Sequence, residues 1–338
     1  MGPHGIMTVG ARAARVVLGV SMSMIVSMLA GLVLAGSAQA QSPTAQAAPT
    51  QEAPSAQTDA ELGDIDVTGY RSVREQAEAF VEEVAEAPRG RGLARWDREV
   101  CVGAAYMSPR YAQFMIDRVA AHALELGLEV GGPDCRPNIM IVASADPDRL
   151  ARELVEDDPY AYRPSMGPTD LGRRALSEFQ TTDAPVRWWH VSLPVMKDSG
   201  EIAVRLRGED ARFVNVHDAS RLRSNVREDL ARVLIVIDAN RIPEVQFGAL
   251  SDYVAMVALA QIDPDVDPAG WDTVLNLFNP DKGVEGLTDW DRDYLKALYE
   301  APRDRAWSRA QTDAIASDLA RSVADDQEPA ERNPAEIE

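Results

Sequence analysis

Two continuous apolar runs dominate the pattern, Ile139-Met-Ile-Val142 and Val233-Leu-Ile-Val-Ile237. Both are rich in β-branched residues with no alternation, which predicts central strands buried on both faces. Further strands are expected at 99–104, 186–194, 201–206 and 213–217. Helical spacing is equally clear. Ala112, Met115, Ile116, Val119, Ala123 and Leu126 recur on one face between Ser108-Pro109, an N-cap followed by proline at the first helical position, and the stop at Gly127. Capping boxes at Ser72–Glu75 and Thr288–Asp291 predict helix starts, the first running to about residue 85 and the second carrying Trp290, Tyr294, Leu295, Leu298 and Tyr299. Asp146-Pro147 opens a helix to about 155, Thr169 caps one through 179, and 308–323 forms the last. The segment 250–262 is nearly all apolar and reads as a buried helix.

Strands and helices intermix along the chain, so the expected class is α/β, with α+β as the alternative: a mixed sheet with flanking helices in one main domain, 61–325. Residues 41–60 are Pro, Ala, Gln, Ser and Thr with few large apolar side chains. Such a stretch cannot offset its ordering entropy and reads as a flexible linker. Residues 326–338 are expected to form an acidic, disordered tail.

The first 40 residues have the layout of an export signal. Arg12 and Arg15 precede the apolar run 16–35, which ends in Ala38-Gln-Ala40, a small-x-small cleavage pattern. The expected product starts at Gln41 and is periplasmic or secreted. The run is also long enough to span a bilayer at about 20 residues, so an inner-membrane anchor formed by 16–36 is the alternative. The chain has two cysteines, Cys101 and Cys135. In an oxidising compartment two thiols of one domain are expected to pair, and neither has a second ligand at metal-site spacing.

Charge narrows the partners. The 338 residues carry a net charge of −20, and −22 beyond residue 40. That excess argues against nucleic acid, whose affinity rests on cations at phosphates. It also disfavours an anionic membrane surface, so membrane association is expected only through an uncleaved signal. The histidines are His4, His122, His190 and His217, with no His-x3-His pair. No Gly-x-Ser-x-Gly elbow accompanies them, so a serine triad is not supported. Asp263, Asp265 and Asp267 begin like a calcium loop, but Pro268 stands at the required glycine and Val274 at the required glutamate. Trp188, Trp189 and His190, with Arg163, Arg173, Arg174 and Arg187 nearby in sequence, form a candidate binding patch for a protein or peptide ligand. The chain holds 31 Arg against 3 Lys, so any single arginine carries little information.

One stretch resembles a known family. From Leu250 the chain reads LSDYVAMVALAQIDPDVDPAGWDTVLNLF, and after a short loop GLTDWDRDYLKALY. This layout resembles the end of the zincin metalloproteases: a buried helix bearing His-Glu-x-x-His-x-x-Gly-x-x-His/Asp, a methionine turn and a closing helix. Tyr253 then stands at the first histidine, Val254 at the general-base glutamate, Val257 at the second histidine, Ala260 at the glycine and Asp263 at the third ligand. Leu275–Phe278 takes the place of the methionine turn. Leu287, Asp291, Leu298 and Tyr299 match the closing helix. A strand–helix–strand beginning at Arg95-Trp96 and an edge-like strand at 232–238 complete the outline. The resemblance implies a degenerate zincin-like core, like that of exported bacterial envelope proteins.

The departures decide the chemistry. Zinc hydrolysis needs two imidazoles one helical turn apart, a carboxylate base and an open coordination position. A phenol and two isopropyl groups replace the first three groups, and one carboxylate does not hold zinc. The expectation is therefore a non-catalytic binding or structural protein of the envelope, with no cofactor and no metal. A membrane-tethered assembly factor, or a hydrolase with an unrecognised site, is the alternative.

Overall fold

The central strand β4 (Val226–Asp238) shows how the sheet is built. Val233, Ile235 and Ile237 alternate with Leu234 and Val236, and the two sets enter separate cores on opposite faces. A strand that is apolar at every position can bury both sides, as the run predicts. The computed structural model describes residues 67–331 apart from 211–220 and 243–244, with side chains from 72 to 325. The expected signal peptide, the linker, the strand at 213–217 with His217, and residues 332–338 lie outside the described residues.

Four strands form one mixed sheet in the order β1-β2-β4-β3. β1 (Val102–Ala105), β2 (Ile139–Ser144) and β4 are parallel, and β3 (Val186–Met196) pairs antiparallel with β4 at the edge. On one face, α3 (Pro147–Asp157), the short α4 (Pro159–Tyr162) and α5 (Gly172–Thr181) cover Val142, Trp189, Val191, Leu234 and Val236. On the other, α2 (Pro109–Glu125) and α6 (Phe247–Leu259) join the larger core, together with α1 (Val67–Val84), α7 (Asp289–Glu300) and α8 (Ser308–Glu331). This is the expected α/β architecture, and all described residues fall in one compact unit. Among them no helix is long and apolar enough to cross a membrane.

Cys101 and Cys135 form a disulfide with Cα atoms 6.0 Å apart, inside the roughly 4.4–6.8 Å that the bond requires. It ties the residue before β1 to the loop entering β2. A Cβ at Gly131 would stand 2.7 Å from Cys135 Sγ, so that glycine makes room for the bridge.

Several local expectations are corrected. No strand forms at 201–206. Left-handed glycines at 200 and 208 bracket the segment, whose β pairing is limited to the isolated bridges Ile202–Val195 and Ser165–Leu206. Ser72 does not start α1, which already runs from Val67. Thr169 does not cap α5; Asp170 instead accepts from Gly172 N at 2.9 Å while paired with Arg163. The strand at 232–238 is central rather than edge-like, because the antiparallel β3 takes the outside position. α8 runs to Glu331, so residues 326–331 of the expected tail are helical. The Thr288–Asp291 capping box is present at the start of α7.

Candidate functional site

The helix that would carry a zincin's ligands is a core element here. Val254 and Val257 are fully buried, and Tyr253 packs edge-on against Phe278 at 5.2 Å and Trp188 at 6.2 Å. Phe278 closes the short 3-10 turn Val274–Phe278, where the methionine turn was expected. Burying a helix on all sides creates a problem at its C-terminus, because the last four carbonyls have no intrahelical donor and no water. Each finds a protein donor. Met256 O accepts from Ala260 N at 3.1 Å, Val257 O from His190 Nε2 at 2.7 Å, Ala258 O from Trp96 Nε1 at 2.8 Å and Leu259 O from the Tyr299 hydroxyl at 2.8 Å. His190 is thus a neutral helix cap, its pKa lowered to about 4 by burial against the one carbonyl bond that favours charge.

The sequence patch Trp188–His190 is therefore not an exposed surface. All three residues are buried, and alternation along β3 sends Trp188 and His190 to one face and Trp189 to the other. The indoles are held by backbone carbonyls: Trp188 Nε1 donates to Ile262 O at 3.0 Å and Trp189 Nε1 to Tyr162 O at 2.9 Å. Of the arginines grouped with them, Arg187 is buried, with Nη1 on Asp148 at 2.8 Å, and Arg174 pairs with Glu178 at 2.8 Å.

Trp188 and Trp189 nevertheless line a groove of about 590 Å³ beside the β3 edge. Its floor is Val186, Arg187 and Trp188, one wall is α5 with Ala175, Glu178 and Phe179, and the other is Glu86 with Pro264-Asp265. Register shows what the floor offers. Asp238 N donates to Pro185 O, which makes Pro185–Asp238 a hydrogen-bonded pair and turns the N–H and C=O of Val186 and Trp188 away from β4. No described residue pairs with them. The Nε–H of Arg187 is likewise buried without a partner. Buried polar groups left unpaired are uncommon, and here two residues of the β3 edge that line one cavity carry them.

The acidic wall is assembled by backbone pairing distant in sequence. Ala85 bridges Ile262, Glu86 N donates to Gln261 O at 3.2 Å, and Asp263 N donates to Val84 O at 2.8 Å. Glu86 and Asp263 therefore stand side by side. Burial, then the carboxylates of Asp263 and Asp265, push the Glu86 pKa up to about 7. Asp263, expected from the resemblance at the third ligand position, uses Oδ1 to accept from Asp265 N at 2.8 Å. It stands beside Glu86, and like Tyr253 and Val257 it does not line the groove.

A second cluster lies on the far side of α6. Asp252 accepts from Arg118 Nε and Nη2 at 2.5 and 2.8 Å and contacts His122 Nε2 at 2.8 Å, and His122 Nδ1 meets Glu125 at 3.0 Å. Burial opposes the imidazolium, but the bonds to Asp252 and Glu125 outweigh it and raise the His122 pKa. The cluster clamps α2 to α6 and brings no nucleophile with it. Another cavity, about 380 Å³, sits at the carboxyl ends of the parallel strands. Its lining is apolar, including Tyr106, Tyr111 and Phe247, and offers no charged group to orient a ligand.

Sequence reasoning singled out Trp188 and Trp189 in one argument and Asp263 in another, without bringing them together, and it missed Glu86. Nothing local marks that glutamate; only the pairing of 85 with 262 brings it to the groove. No family model matches the chain, and neither a curated protein nor a solved structure matches it.

Proposed function

We propose that this is an exported, non-catalytic binding protein that holds an extended peptide segment in the groove beside β3, on a degenerate metalloprotease-like core. The observation that carries the reading is the groove floor. Val186 and Trp188, whose outward backbone groups are unpaired, line a cavity with the apolar surface of Phe179. A peptide backbone supplies donors and acceptors in the alternation that a strand edge requires, and apolar side chains fill the remainder. The non-catalytic part rests on α6, where valines occupy the base and second-ligand positions and pack into the core. The succession of an antiparallel edge strand, a central strand, a buried helix and a turn beneath Tyr253 supports the metalloprotease-like reading. The Arg12–Ala40 pattern supports export.

Blocking the groove tests the reading. Ala175 lies on the α5 wall and is half-buried. Ala175→Trp is expected to abolish binding of an end-blocked, valine- and threonine-rich hexapeptide, read by tryptophan fluorescence, with the circular dichroism spectrum unchanged. Undiminished binding by a folded Ala175→Trp protein would place the peptide elsewhere and overturn the proposal.

A further inference from the structure

We propose that the groove selects a cationic side chain, so that the bound peptide carries a lysine or arginine seated against Glu86 and Asp265. This inference rests on the peptide reading of the groove and adds its specificity. Three carboxylates line the cavity, Glu86 and Asp265 from one wall and Glu178 from the other, and Asp263 stands beside Glu86. Among the described residues neither Glu86, Asp263 nor Asp265 takes part in an ion pair. The cations of the lining are committed: Arg174 to Glu178, and Arg187 to Asp148 and the carbonyls of Phe179 and Thr182.

The acidic wall is not a metal site by geometry. Among the described residues no three His, Cys, Asp or Glu side chains converge closely enough to hold an ion. The unpaired carboxylates of Glu86 and Asp265 suit instead a long side chain with a broad, hydrogen-bonding cation at its tip, and its methylene stem can lie on Trp188 and Phe179.

The independent observation is the β3 edge. Trp188 lines the cavity, and its backbone N–H and C=O, turned away from β4, pair with no described residue. Those groups call for a ligand backbone along the edge, while the acidic wall calls for a ligand cation. A peptide with a basic side chain supplies both, a backbone for the edge and an ammonium or guanidinium for the carboxylates. A simple cation supplies only the second. The negative field of the whole chain, −22 beyond residue 40, would also speed the encounter with a basic ligand.

The test compares three end-blocked hexapeptides of alternating valine and threonine, identical except for lysine, norleucine or glutamate at a central position, titrated at pH 8 and low salt. The lysine peptide is expected to bind at least about tenfold more tightly than norleucine, with glutamate weakest, as a partly buried charge-assisted contact implies. Glu86→Gln with Asp265→Asn should bring lysine and norleucine to within about threefold of each other, because the cationic preference is lost with the carboxylates. Equal binding of all three by the native protein would overturn the charge selection and leave the peptide groove standing. No binding of any of them would overturn both.

Discussion

His190 shows how a side chain with catalytic associations can be spent on backbone chemistry. Its Nε2 caps Val257 O, and nothing else near it could act as its acid or nucleophile partner. The consequence is a definite pH dependence. The folded pKa is lowered to about 4 from the ordinary 6.5, so the neutral form is the stabilising one. That contribution is complete above pH 6.5 and is lost as pH falls from 6.5 through about 4, by about 3 kcal/mol at the linkage limit. His122 works with the opposite sign: its pKa is raised, so its contribution is complete below 6.5 and is lost as pH rises through the folded value. His190→Gln, which keeps a donor for the carbonyl, separates the two. Urea unfolding from pH 4 to 8 should show the stability difference between native protein and variant shrinking or reversing toward pH 4. A difference independent of pH would mean that His190 does not hold a depressed pKa in the fold.

At the scale of elements, α6 organises the molecule, and its neighbours are shaped around its polar loose ends. Besides the four capped carbonyls, Asp252 projects from α6 to grip α2, and Gly286 permits this. A Cβ at position 286 would lie 2.5 Å from Asp252 Oδ2. Gly286→Ala should therefore displace a buried carboxylate from Arg118 and His122 and lower stability by about 2–4 kcal/mol. Gly248→Ala, in the first turn of α6 with open space at its Cβ, should change stability by less than about 1 kcal/mol. Equal effects in thermal unfolding would show that the clamp is not what position 286 protects. This level also marks how far the sequence could be read. The runs at 139–142 and 233–237, the α2 spacing and the Thr288 capping box are local signals, and each found its element. The role of Trp96, Tyr299 and Glu86 depends on partners 40 or more residues away, Ala258, Leu259 and Gln261, and no local pattern encodes it. The segment at 201–206 misled because its alternation resembles a strand, whereas its glycine turns leave room for only two bridges.

For the whole molecule, a parallel sheet closed by one antiparallel edge strand leaves a groove beside that edge, and helix α5 and the 263–265 loop wall it in. The groove combines unpaired backbone groups, an aromatic floor and an acidic wall, while helix α6 is buried in the core. The most direct measurement is a titration of the lysine-bearing hexapeptide against the purified protein in the presence of EDTA, followed by mass analysis of the recovered peptide after prolonged incubation with added zinc. The account predicts saturable binding that EDTA leaves unchanged and a peptide recovered intact under both conditions. Cleavage that appears with zinc and stops with the chelator, or an absence of binding, would contradict it.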